Sequence, residues 1–182
     1  EPEIMRKRLG YLRKAIIQSS DVQLRNGSVA EIAEDELYII RYLTKGRIAP
    51  DLTGIDSAGR TFSLSDYAGK VILLLFWSSS IPEAERVVEI TSEMEKKFAD
   101  QPFVVIGVDR DPIEELRRLE GEDIVTWRNF SDPVGKLASE YRVVNYPVAY
   151  VLDGQRKIRY SGALGSFAEL TAAAILAEDK QP

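Results

Sequence analysis

The 182-residue sequence contains no cysteine and no histidine. Without cysteine there is no disulfide, no Fe–S cluster and no thiolate nucleophile. Without histidine the commonest metal ligand and general base is missing. Together the two absences exclude Cys–His and Ser–His catalysis. Carboxylate sites for Mg²⁺ or Ca²⁺ stay open in principle, but no motif supports one, and neither a metal nor a cofactor is expected. Positive charge is also in deficit. The chain has 24 Lys and Arg against 29 Asp and Glu, a net charge of −5, which argues against a nucleic-acid partner. No apolar run approaches the roughly 18 residues of a membrane span. The longest, Val71–Trp77, has the length of a buried strand. No signal-peptide pattern is visible, and the start at Glu1 without Met reads as a processed or trimmed end.

What is present is an ordinary globular balance, 45% hydrophobic and 29% charged. The first part reads as helical: Ile4, Arg8, Tyr11, Leu12, Ala15 and Ile16 follow helical spacing. Asn26-Gly27 breaks the chain. Ser28-Val-Ala-Glu31 has the form of a capping box. It opens a second helix with Ile32, Leu37, Ile40 and Leu43 on one face and Gly46 at its end. Residues 1–46 are therefore expected to form a helical extension. Its first helix is basic through Arg6, Lys7, Arg8, Arg13 and Lys14. That face reads as a solvated surface or, second, as a docking surface for an acidic partner or a membrane.

Residues 47–182 are expected to form a separate α/β domain. Arg47-Ile-Ala-Pro50 is a connector, and Leu52–Ile55 with Arg60–Ser63 flank a turn and predict a small hairpin. Ser65–Gly69 predicts a helical turn. Val71–Trp77 and Phe103–Asp109 predict buried strands. Pro82–Phe98 predicts a helix with Ala84, Val87, Val88, Thr91, Met94 and Phe98 on one stripe. Pro112–Glu120 predicts a short helix, and Thr126–Phe130 a short extended segment. Pro133–Tyr141 predicts a helix capped by Asp132. Val148–Leu152 and Lys157–Tyr160 predict a hairpin around Asp153-Gly154. Ser166-Phe-Ala-Glu169 has capping-box form and opens a terminal helix through Leu176. Strands alternating with helices imply a parallel element, and the terminal hairpin adds antiparallel strands.

Several segments, in this order, resemble the thioredoxin-like superfamily from about Gly46 to Leu176. The likeness is greatest to the TlpA/ResA-type thiol–disulfide oxidoreductases and the related AhpC/TSA group. The segments are Ile48-Ala-Pro-Asp51-Leu, the stretch from Gly59 to Val71, Phe76-Trp77, Val105-Ile-Gly-Val-Asp109 and Tyr146-Pro-Val-Ala-Tyr-Val-Leu-Asp-Gly154. The resemblance implies a thioredoxin-like α/β/α sandwich with a mixed central sheet, here preceded by the helical extension. It also implies that Pro147 is a cis-proline lying against the active-site motif. The residues themselves do not fix a location; those families are often exported or membrane-anchored, and an exported or membrane-associated location is what the resemblance alone implies.

The chemistry of the family is missing. Its Cys-x-x-Cys aligns with Ser80-Ile81-Pro82-Glu83, behind a loop about one residue shorter than usual. Leu75 stands where the family often has Asp or Asn near the buried thiol, and Ser79 where an aromatic residue usually precedes the first cysteine. A helix N-terminus can stabilise a thiolate, but a serine hydroxyl there stays protonated. The plain reading of Ser80–Glu83 is an S-x-x-E capping box with Pro82 in the first turn. The functional alternative is a Ser/Glu site with Glu or Lys as its base. Trp77, Ser79, Ser80, Tyr146 and Pro147 are the candidates for a groove that takes an extended protein or peptide segment. Asp109-Arg-Asp111-Pro reads as a polar loop with Asp111 capping the next helix, ahead of a metal site. Trp127-Arg-Asn-Phe130 reads as core packing on an edge strand. The expectation is a redox-inactive module that binds a protein or peptide or serves as a scaffold. The alternatives are a thiol–disulfide oxidoreductase assigned by fold alone and a non-redox enzyme that uses carboxylates.

Overall fold

The computed structural model describes residues 2–20, 22–24 and 27–178, in two compact units, Glu1–Thr44 and Lys45–Pro182. In the first, α1 (Pro2–Gln18) and α2 (Val29–Tyr38, continued by a π-helical turn, Ile39–Leu43) flank a two-stranded ribbon, β1 (Gln23–Leu24) with β2 (Gly27–Ser28). Arg8 on α1 pairs with Glu36 on α2. The capping box forms as read: Ser28 N–H donates to Glu31 Oε2 (2.7 Å), and Glu31 N–H donates to Ser28 Oγ (3.1 Å). The apolar face differs from expectation. Ala33, Ile40 and Leu43 are buried, whereas Ile32 is 43% exposed. Asn26 of the expected chain break lies outside the described residues. Among the described residues no helix is long and apolar enough to cross a membrane.

The second unit is built on a five-stranded sheet. A hairpin, β3 (Thr53–Ile55) with β4 (Thr61–Ser63), and a 3₁₀ turn (Leu64–Tyr67) precede it. The sheet comprises β5 (Val71–Trp77), β6 (Phe103–Asp109), β7 (Arg128–Ser131), β8 (Val148–Leu152) and β9 (Ile158–Gly162), in the order β7-β6-β5-β8-β9. Strands β5, β6 and β7 run parallel; β8 pairs antiparallel with β5, and β9 pairs antiparallel with β8. Helices α3 (Ala84–Lys97), α4 (Ile113–Gly121), α5 (Lys136–Glu140) and α6 (Ser166–Glu178) complete it. The connector at residues 46–49 hydrogen-bonds to the start of β9 through Gly46 N–H to Ile158 O (2.7 Å) and Ala49 N–H to Arg156 O (2.9 Å).

Strand β5 is central and every residue in it is buried. A strand covered on both faces reads as a continuous apolar run and not as an alternation. Val71, Leu73, Leu75 and Trp77 face a core shared with Val87 and Met94 of α3 and with Ala168, Ala172, Ile175 and Leu176 of α6. On the other face Phe76 meets Tyr141 and Tyr150 at ring distances of 5.2 and 6.1 Å. Each such side chain stabilises the fold by about 1.5–3 kcal/mol on burial.

Three helix starts differ from the local readings. Helix α3 begins at Ala84 instead of Pro82, and no side chain caps it. Helix α5 begins only at Lys136, after Gly135 in the left-handed conformation (φ 74°). Asp132 reaches over this loop and accepts from Leu137 N–H (3.1 Å) and Ala138 N–H (2.9 Å), so it caps from a distance. Helix α6 already includes Ser166, and Glu169 turns outward to pair with Lys97.

One buried polar contact fixes the far end of β5. Trp77 Nε1 donates to Asn129 Oδ1 (3.0 Å), and Asn129 Nδ2 donates to Trp127 O (2.9 Å). The amide occupies the space left by Gly107, where a Cβ would lie 1.7 Å from Asn129 Oδ1. Gly107→Ala is therefore expected to expel the amide and strand the indole N–H, a loss of about 2–4 kcal/mol in chemical denaturation. An unchanged denaturation midpoint contradicts this.

Candidate functional site

The corner where β5 leaves the sheet holds most of the residues singled out from the sequence. Ser78 is still buried (7% exposed), and residues 79–83 form turns ahead of α3. Ser79 and Ile81 are half-buried; Ser80, Pro82 and Glu83 are exposed. The expected Ser80–Glu83 capping box does not form, because all three serines turn toward Asp111. Ser78 Oγ (2.6 Å) and Ser80 Oγ (3.1 Å) donate to Asp111 Oδ1, and Ser79 N–H donates to Oδ2. Ser80 N–H closes back on Ser78 Oγ (3.1 Å). Hydrogen bonds to an ionised acceptor are roughly twice as strong as neutral ones, so the buried carboxylate outcompetes the local cap.

The role read for Asp111 is corrected by the same contacts. Helix α4 has Pro112 at its cap position and no side-chain cap bond. Asp111 (4% exposed) faces the corner, 31 to 33 residues away in sequence. Burial works against its ionisation, but the bonds from Ser78, Ser79 and Ser80 outweigh it and hold its pKa below the ordinary carboxylate value. Next to it, Ser79 Oγ donates to Glu115 Oε1 (3.4 Å), and Arg118 pairs with Glu115 (2.7 Å). Asp109 is fully buried, and burial followed by the negative charge of Asp111 pushes its pKa up to about 8. The dipeptide spacing explains the pair: residues i and i+2 at the end of an extended strand point to one side.

The second half of the corner is the segment before β8. The antiparallel register pairs Phe76, the residue before Trp77, with Val148, the residue after Pro147. The Tyr146–Pro147 bond is cis. Tyr146 and Pro147 are half-buried, and Val144 is 83% exposed. Burial raises the pKa of the Tyr146 phenol, with the Arg110 guanidinium opposing. Trp77, read as a groove candidate, is 0% exposed and belongs to the core: its indole is committed to Asn129. Among the described residues no group of three or more acidic side chains is placed to hold a metal ion.

The mixed sheet, the helix following β5 and the proline ahead of β8 define the thioredoxin-like class. Two solved structures share this fold at 26% identity. One is the thioredoxin domain of a thiol-disulfide oxidoreductase from Bacteroides vulgatus (TM-score 0.65, covering 73% of this chain and 98% of that one). The other is a thiol:disulfide interchange protein from Bacteroides sp. (TM-score 0.66, 76% and 93%). The AhpC/TSA family model matches residues 45–161, and the chain belongs to that family. Among curated relatives, thioredoxin-like protein YneN of Bacillus subtilis is 27% identical over 115 residues (61% of this chain, 66% of YneN). Thiol-disulfide oxidoreductase ResA of Bacillus thuringiensis is 23% identical over 118 residues (62% and 66%). The chain thus spans just under two thirds of the length of these relatives.

Because folding lowers the Asp111 pKa, its stabilisation is present above the ordinary aspartate value and is lost as pH falls through the folded-state value. Asp111→Ala is expected to cost about 2–4 kcal/mol at pH 7, and its difference from the wild type should shrink below about pH 4. A cost that stays constant down to pH 3 runs against this assignment.

Proposed function

We propose that this chain is a redox-inactive thioredoxin-like domain that binds a protein or peptide segment at the face between Ser80 and Pro147. The observation that carries the first half is the occupancy of the corner. Ser80 and Glu83 stand where the resemblance places the two thiols, and the Ser80 hydroxyl, with that of Ser78, is spent on Asp111. Thiol–disulfide exchange begins with attack by a thiolate, and the sequence contains no thiol. The binding half is supported by the rim of this face. Val144 is 83% exposed, two residues before the half-buried Tyr146 and Pro147. An extended segment adds to main-chain groups there by strand-like hydrogen bonds, with an apolar contact to Val144.

A second reading, a non-redox enzyme working through carboxylates, has one observation in its favour: the raised pKa of Asp109. The complete burial of that residue keeps it from a substrate, so the binding reading is preferred.

Two measurements test the proposal. In a dithiothreitol-driven insulin reduction assay the purified chain should give the uncatalysed rate, and measurable acceleration contradicts redox inactivity. Selection of random dodecapeptides on the immobilised chain should yield binders that lose at least tenfold in affinity with Val144→Asp or Ser80→Trp. Binders indifferent to both substitutions, or no enrichment at all, contradict a binding face here.

A further inference from the structure

Asp109 ends β6 on the side of the sheet that meets the corner. Its register neighbours are Trp77 on β5 and Ser131 on β7. The residue is 0% exposed, and among the described residues neither carboxyl oxygen receives a well-formed hydrogen bond. The groups around it are neutral or negative. From β5 comes the Trp77 indole, already turned to Asn129, and from β7 come Asn129 and Ser131. From α4 comes Glu115, neutralised by Arg118. The corner loop offers the hydroxyls of Ser78, Ser79 and Ser80 and the amides of Ser79 and Ser80, all directed at Asp111, Glu115 or one another. The intervening Arg110 lies against Gly135 and faces Tyr146. The Asp111 main-chain N–H compensates Asp109 in part, but a buried carboxylate with no cation in such surroundings is unstable as the anion.

The neutral acid has one O–H to give, and two residues on, past the end of the same strand, stands the carboxylate of Asp111, itself only 4% exposed and close enough for its charge to act on Asp109. We infer that Asp109 and Asp111 share one proton, donated by Asp109 and accepted by Asp111, and that this proton latches the Ser78–Ser80 corner. Loss of the proton to solvent leaves two adjacent carboxylates with no compensating cation. Repulsion then drives Asp111 off Asp109 and loosens its bonds to Ser78, Ser79 and Ser80. The latch sits under the face proposed above for binding and would regulate it. That consequence rests on the binding reading; the shared proton itself does not.

The test uses the full chain with no partner present. Aspartate carboxyl carbons are labelled with ¹³C and amides with ¹⁵N, and the protein is titrated from pH 4 to 10. One carboxyl should titrate with a midpoint near 8, and the Ser79 amide should shift with the same midpoint. In Asp109→Asn that carboxyl should be absent and the Ser79 amide should stay flat. If Asp109→Asn fails to fold, Glu115→Gln assigns the group instead: removing a nearby negative charge should lower the midpoint. Aspartates that all titrate below pH 5, a Ser79 amide that ignores the carboxyl midpoint, or a midpoint unmoved by Glu115→Gln would each overturn the inference. Failure to find a peptide ligand leaves this titration untouched.

Discussion

Strand β5 is covered on both faces and paired along both edges, so the chain that leaves it at Ser78 carries main-chain and hydroxyl groups straight out of the core. Buried polar groups left without partners cost free energy, and within three residues this chain has to find partners for several. Asp111 meets that constraint. Its carboxylate gathers Ser78 Oγ, Ser79 N–H and Ser80 Oγ, and through them it fixes how the loop turns before α3 begins. The late start of α3 and the missing helix cap both follow from this one acceptor. In a scaffold whose relatives bear the names of thiol–disulfide oxidoreductases, a carboxylate organises the corner.

A second polar device supports the first from beneath. The indole of Trp77, the amide of Asn129 and the bare Cα of Gly107 interlock across three neighbouring strands. They hold the last residue of β5 while its neighbour Ser78 turns toward Asp111. A third lies further out, where Asp56 (2% exposed) accepts from Arg60 N–H (2.9 Å) and Arg128 Nη2 (2.9 Å). Arg128 also lies over the Phe62 ring at 3.8 Å, and Phe62 stacks on Phe130. This contact joins the β3–β4 hairpin to the edge strand β7.

How much of this could be read beforehand depended on whether the signal was local. Strands β5, β6 and β8 were legible to the residue, because unbroken apolar runs between polar ends leave little choice of boundary. The Ser28–Glu31 capping box was legible for the same reason: donor and acceptor lie within one turn. The Ser80–Glu83 box has the same letters and fails, since a competitor some 30 residues away in sequence binds its serine more strongly. At Trp77 the sequence is ambiguous, because an aromatic residue next to an active-site position suits a groove as well as a core, and only burial and the long-range hydrogen bond to Asn129 decide. Asp109 and Asp111 are visible as a pair in the sequence, but their roles depend on burial and on the corner they face. The pairing of Gly107 with Asn129 has no local signature at all.

One electrostatic contact, Asp111 with the serines after β5, therefore organises the corner of this cysteine-free domain. A double-mutant cycle of Ser78→Ala with Asp111→Asn, followed by chemical denaturation at pH 7, measures that contact directly. The two substitutions should be coupled by at least about 1.5 kcal/mol, as expected for a buried charge-assisted hydrogen bond. Effects that add to within about 0.3 kcal/mol would mean that Asp111 does not hold the corner.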